Sequence, residues 1–309
     1  MALGTTTTWN GSAEDGDWGN ASNWSNGIPV QTGVATGTAV IDGDEDITGG
    51  NPTGHTLDNV FIASTYTGAI GSNGTPLELD FKELNVNNSA SGSTHYIDKH
   101  TGSNTGVVSI SGTKTGNALY LSGTIEKIIV EADFVGTVIL GNSASFVCEP
   151  KDLVVMTTSG TCDASSSANV EWENSSTIDV LSGTLLLGEN IGQDSTMTVS
   201  GGTVTVSGWT VETGDTINMH SGVLNWDAGS SGLGNVTTQT TVTNLNIFGG
   251  TVTTASNETA YVGWENIKQY GGTLNFRSNF ANSVVTNTYN SYAGIFTPTK
   301  QSVITVAAK

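Results

Sequence analysis

From Ile178 onward the apolar positions fall into one short frame that recurs six times: IDVLSGTLLLG, MTVSGGTVTVS, INMHSGVLNWD, LNIFGGTVTTA, IKQYGGTLNFR and YNSYAGIFTPT. The copies align on Gly183, Gly202, Gly222, Gly250, Gly272 and Gly294. Five residues before each glycine stands Ile178, Met197, Ile217, Leu245, Ile267 or Tyr289. Two residues after it stands Leu185, Val204, Leu224, Val252, Leu274 or Phe296. Four after it, Leu187, Val206, Trp226 and Phe276 are again apolar, which reads as core. Side chains two apart on a strand share a face, so each copy predicts two short strands around a corner. Glycine suits that corner because it accepts positive φ without a Cβ clash. The glycines lie 19, 20, 28, 22 and 22 residues apart, a period that signals a solenoid. One coil has too few apolar residues to form a core alone. Stacking the next coil about 4.8 Å above pairs the backbone and completes it. A sandwich of hairpins also has short alternating strands, but it would not hold one glycine-anchored register through six copies.

A looser form of the coil precedes these copies. Apolar pairs two apart occur at Val60/Ile62, Leu84/Val86, Val108/Ile110, Ile128/Val130 and Leu153/Val155, before Ile178/Val180. Their steps are 24, 24, 20, 25 and 25 residues, and the glycine keeps no constant offset, so the corners are expected to vary. The expected fold is all-β: a right-handed parallel β-helix of about ten to eleven coils, roughly 50 Å long. Residues 51–309 form this β-helix as one continuous domain. Residues 1–50 carry Trp9, Trp18 and Trp24 in WNGSAEDGDWGNASNWSNGIPVQTG and are expected to cap the open end. DAGSSGLGNVTTQT (227–240) reads as a loop, and TPTKQSVITVAAK (297–309) as a last strand that closes the stack or pairs with a neighbour.

The composition narrows the partners. Of 309 residues 40 are Gly and only 12% are charged, yet 36% are hydrophobic at strand spacing, which argues against disorder. Nine Lys and Arg face 28 Asp and Glu, for a net charge of −19. Arg277 is the one arginine, and no Lys or Arg occurs over 1–81 or 152–267. Nucleic acid needs a basic footprint and anionic membranes would repel this surface, so neither is an expected partner. Cys148 and Cys162 are 14 residues apart, less than one coil, which favours buried thiols over a disulfide. MALGTTTTWNG has neither a basic nor an apolar signal region, and no run reaches 18 apolar residues.

The spacing of Trp9, Gly16, Trp18, Asn23-Trp24, Gly27, Pro29 and Ile41 resembles the opening of many bacterial surface and phage β-helix proteins, among them autotransporter-passenger-like chains and phage tail or head-surface proteins. The resemblance covers about 40 residues as a motif and implies the parallel β-helix. Pectate lyases share that architecture, but fold alone implies no activity.

Chemistry is sparse. A lyase of the pectate type needs a basic residue beside calcium-binding acids, and Lys268 and Arg277 are the only basic residues between Asp152 and Phe296. A glycosidase needs two carboxylates at a set separation. Glu171 and Glu173 could share a face, and Asp179, Glu189, Asp194, Glu212, Asp215 and Asp227 are also present, but nothing in the spacing selects a pair. Asp42, Asp44, Glu45 and Asp46 look calcium-like, yet Ile47 and Thr53 stand where an EF-hand loop needs Gly and Glu. His220 is a lone imidazole, read as a surface residue. No cofactor or metal site is expected.

One row is sharper. Two residues before each corner glycine stand Leu181, Ser200, His220, Phe248, Tyr270 and Tyr292, on the face opposite the core. Phe248, Tyr270 and Tyr292 are therefore expected to form an outward aromatic stripe. Three roles are open to it: a subunit interface of a homotrimer, a sugar-stacking surface, or rings drawn into the core by strand twist. The expected function is a non-enzymatic structural protein of a tailed-phage virion, at the virion surface, as head decoration or cement or in the tail. Its expected partners are copies of itself and other virion proteins. An adhesin or receptor-binding fibre that recognises surface glycans is the alternative, and a polysaccharide depolymerase the third.

Overall fold

The computed structural model describes residues 6–29, 37–49, 56–88, 92–100, 105–141, 146–165, 170–188, 191–207, 214–226, 242–254, 263–276, 284–297 and 305–306. The chain forms an all-β parallel solenoid divided into two compact units. One comprises Met1–Pro150 with Thr157–Cys162, the other Lys151–Met156 with Asp163–Lys309.

The first unit begins with β1 (Thr6–Trp9), β2 (Gly37–Ile41), β3 (Thr56–Ile62) and β4 (Leu77–Asn88). It continues with β5 (His95–Lys99), β6 (Val107–Val130) and β7 (Val135–Leu140). Their pairings are parallel and follow the sequence columns: Val60 lies beside Leu84 and Leu84 beside Val108, while Ile62 lies beside Val86 and Val86 beside Ile110. Corners here are bends within long strands. The 24-residue β6 lies beside β4 through Val107–Gly112 and beside β5 through Leu119–Gly123. That explains why no glycine recurs at a constant offset. Residues 1–50 supply two strands to the stack, since Thr6–Trp9 pairs in parallel with Thr38–Ile41. The three tryptophans there are buried against one another. Trp24 meets Trp9 at 5.2 Å and Trp18 at 4.5 Å, both edge to face. Trp24 Nε1 donates to the Trp18 carbonyl at 2.9 Å, whereas Trp18 Nε1 is buried without a partner.

β8 (Cys148–Val155) and β9 (Thr161–Ala164) each span the division of the chain. The second unit then repeats pairs of short strands. They are β10 (Thr177–Val180), β11 (Thr184–Leu187), β12 (Thr196–Val199), β13 (Thr203–Val206), β14 (Thr216–Met219) and β15 (Val223–Trp226). Next come β16 (Val242–Ile247), β17 (Thr251–Thr254), β18 (Gly263–Gln269) and β19 (Thr273–Phe276). Last are β20 (Val284–Ser291), β21 (Ile295–Thr297) and β22 (Thr305–Val306), which pairs with β20. Leu185, Val204, Leu224, Val252, Leu274 and Phe296 are vertical neighbours in one column. Ile178, Met197, Ile217, Leu245, Ile267 and Tyr289 form another. Both columns are buried up to Ile267 and Leu274, and only their last members, Tyr289 and Phe296, are half-buried. The expected loop at 227–240 and the side chains of Trp226 and Phe276 lie outside the described residues.

All six corner glycines have positive φ, and stacking adds a second constraint. At Gly202, with φ of 70°, a Cβ would come within 2.4 Å of the Gly183 carbonyl oxygen one rung below. The corner column thus excludes side chains both by conformation and by the proximity of the next rung.

Several buried polar groups of the first unit are paired between residues 19 to 24 apart in the chain. Lys99 Nζ donates to Asp80 Oδ1 at 2.9 Å and to the His100 carbonyl at 2.7 Å, with Thr56 Oγ1 donating to Asp80 Oδ2 at 3.1 Å. Buried Lys114 donates to the Ser93 carbonyl, and burial lowers its ammonium to about 8. His95 is buried beside Tyr66, and its Nδ1 has no partner. Burial, helped by the Lys114 cation, pushes its imidazole down to about 3. Cys148 and Cys162 are both buried thiols; burial, with Cys162 nearby, pushes the Cys148 thiol well up.

Three outcomes are expected. Gly202→Ala destabilises the chain by about 1–3 kcal/mol through its positive φ and the blocked carbonyl, whereas the outward Thr205→Ala stays within about 0.5 kcal/mol. Urea midpoints compare the two. Trp24→Phe costs about 1 kcal/mol more than Trp18→Phe by the same measure, because only Trp24 donates a hydrogen bond through its indole. The unfolded chain protonates His95 near 6.5 but the folded chain only near 3, so its burial costs nothing above pH 6.5 and lowers stability as pH falls from 6.5 towards 3. Between pH 7 and 5 the wild type therefore loses about 2 kcal/mol more than His95→Gln does, read from unfolding at each pH.

Candidate functional site

The corner of the second unit carries a ridge of rings. The frame places one residue per rung two positions before the corner glycine, and strand alternation turns it away from the core. Phe248, Tyr270 and Tyr292 occupy that position and are 45%, 42% and 67% exposed. His220, read from the sequence as a lone surface imidazole, is the fourth ring. The centroid spacings are 4.7 Å from His220 to Phe248, 5.1 Å to Tyr270 and 5.0 Å to Tyr292, with planes within 6° of parallel. These spacings follow the separation of paired strands, about 4.8 Å. The rungs thus impose the stack. Below His220 the row continues as exposed Ser200 and Leu181.

The flanks of the ridge are polar but nearly uncharged. On one side the register aligns Asp179, Thr198, Asn218, Asn246, Lys268 and Asn290. Asn246 Nδ2 donates to Asn218 Oδ1 at 2.9 Å, tying adjacent rungs. On the other side it aligns Thr184, Thr203, Val223, Thr251, Thr273 and Ile295.

The ring geometry bears on ligand chemistry. A sugar stacks by laying its C–H face on a free aromatic face. In this row Phe248 and Tyr270 each have rings against both faces, so they offer edges and, for Tyr270, a hydroxyl. The row is a ridge of ring edges more than a platform of open ring faces.

Among the described residues the other candidates do not converge on one centre, and Glu189, Glu212 and Asp227 lie outside them. Asp42 Oδ1 accepts from Gly43 N at 2.8 Å and Thr65 Oγ1 at 2.5 Å, and Asp46 Oδ1 accepts from Ala69 N at 2.7 Å, so these acids cap turns. Glu171 and Glu173 are exposed on either side of buried Trp172. Asp215 is buried and accepts from Ser195 N at 3.0 Å, a structural role inside the stack. Among the described residues no group of three or more His, Cys, Asp or Glu is arranged to hold a metal. Nor is any helix among them long and apolar enough to cross a membrane.

Two features of the first unit escaped the sequence reading. Tyr96 and Tyr120 stack at 4.5 Å and 11°, and their separation of 24 residues, one coil step, was the available signal. Asp98 lies one rung from Glu78; burial raises its carboxyl, against the Ser122 hydroxyl that donates to it at 2.5 Å, and Glu78 adds to the rise. Glu78 Oε2 is 3.6 Å from His100 Nδ1 and lines a cleft of about 330 Å³ with Ile47, Gly71, Pro76, Leu77 and Phe146. Its wall holds one carboxylate, Glu78, and the threonines Thr48 and Thr75.

The architecture is a parallel β-solenoid scaffold; no family model matches the chain, and no curated protein or solved structure matches it either.

Proposed function

We propose that this chain is a non-enzymatic structural protein of a tailed-phage virion, decorating or cementing the head surface or seated in the tail. It acts there by contact, with copies of itself, three in the favoured assembly, and with other virion proteins. The observation that carries this reading is the exposed, face-stacked row His220–Phe248–Tyr270–Tyr292 on a hydrogen-bonded stack of rungs. A scaffold whose most distinctive outward feature is an apolar ridge is suited to holding another protein surface. The N-terminal tryptophan spacing, with its resemblance to phage and bacterial-surface β-helices, supports the virion setting. The acidic balance of −19 argues against a nucleic-acid role inside a head.

The glycan-binding fibre is the weaker alternative, because Phe248 and Tyr270 have neighbouring rings on both of the faces that sugars would use. The test is fractionation of particles from a lysate of the strain that encodes the chain. The chain is expected to sediment with particles in stoichiometric copies, and adding the purified chain to particles stripped of it should raise their resistance to heat. Recovery only in the soluble fraction, with no binding on addition, would overturn the assignment.

A further inference from the structure

Among the described residues seven large apolar side chains are exposed: Phe61, Val135, Leu181, Phe248, Tyr270, Tyr292 and Ile295. Five of these, from Leu181 to Ile295 in that order, lie on the one corner of the second unit or on its flank. The same strip is almost free of charge. Across the row and both flanking columns, Asp179 and Lys268 are the only Asp, Glu, Lys or Arg residues, and both stand in one flank. A chain of net charge −19 repels its own copies, and that repulsion is weakest where two copies meet through an uncharged strip.

The spacing narrows the occupant further. The rings recur at 4.7, 5.1 and 5.0 Å, the repeat of a stack of paired strands. A surface with the same repeat can meet every ring at an equivalent place, and a second copy of this chain has that repeat by construction. We infer that the ridge is a homotypic seam in which two copies lie side by side, their second units stacked in the same direction, so that His220, Phe248, Tyr270 and Tyr292 of one copy pack edge to edge against the same rows of its partner.

The common direction follows from the rotational symmetry of the proposed three-copy assembly. When copies are related by rotation about an axis along the stack, the flank bearing Asp179 and Lys268 faces the partner's Thr184–Ile295 column, which has no charge. The seam deepens the self-association in the proposed function and rests on that part of it; the virion setting is not needed.

The experiment uses the full chain. Light scattering across a concentration series is expected to give a multiple of the chain mass. Tyr270→Asp and, separately, Tyr292→Asp should return it to the monomer, with at least a tenfold weaker association and an unchanged far-ultraviolet spectrum. Photo-oxidative dityrosine cross-linking of the wild type should join Tyr270 to Tyr270 and Tyr292 to Tyr292 between copies. A wild type that is monomeric at tens of micromolar, folded variants that keep the oligomer, or cross-links that spare both tyrosines would each overturn the seam. A monomeric chain that still sediments with particles would remove the seam and leave the virion role standing.

Discussion

Everything in this molecule depends on the vertical match between rungs. A single turn of the second unit presents a few inward side chains, such as Ile217, Met219 and Leu224, too little apolar surface to remain folded alone. Paired in parallel with the turns above and below, those residues become a continuous column, and β14 and β15 each find hydrogen-bond partners on both sides. Core and ladder therefore form together. The corner glycines are where this demand is most exacting. The chain must turn at positive φ, and the rung below places a carbonyl oxygen where a Cβ would go.

The same match shapes the outside. Because each rung repeats its neighbour's backbone, whatever stands at a given offset is stacked on its counterpart. Apolar residues become a core, asparagines become ladders such as Asn218–Asn246, and aromatic residues become a row of parallel rings. The ridge is thus a direct product of the scaffold's periodicity, and stacking holds each ring against its neighbours. That is the physical basis for the proposed role in contact. The carboxylates of Asp42, Asp46 and Asp215, by contrast, accept hydrogen bonds from backbone amides.

The two units solve the corner problem differently. In the second, a short strand, a small pair and a second short strand repeat with little variation, and the frame is visible at once. In the first, long strands such as β6 bend through their corners, and the interior holds an ion pair, Lys99–Asp80, and two further buried basic side chains, Lys114 and His95. Its columns could be read from pairs such as Val60/Ile62 and Leu84/Val86, but its corners could not, because glycine does not recur from rung to rung: Gly112 and Gly123 of β6 have positive φ, whereas Asn88 and Lys99 stand beside them on the neighbouring rung.

The sequence by itself determined the alternation of faces, the column to which each repeat residue belongs, the glycine at each corner and the outward direction of Phe248, Tyr270 and Tyr292. All of these follow from spacing along one dimension. Tertiary structure decided what spacing leaves open. It added His220 to the row, turned the rings parallel so that their faces cover one another, brought Tyr96 against Tyr120, and buried Lys99, Lys114 and His95. The reason is physical: periodicity sets which residues are neighbours, whereas ring orientation and the environment of a polar group depend on what the folded chain packs around them.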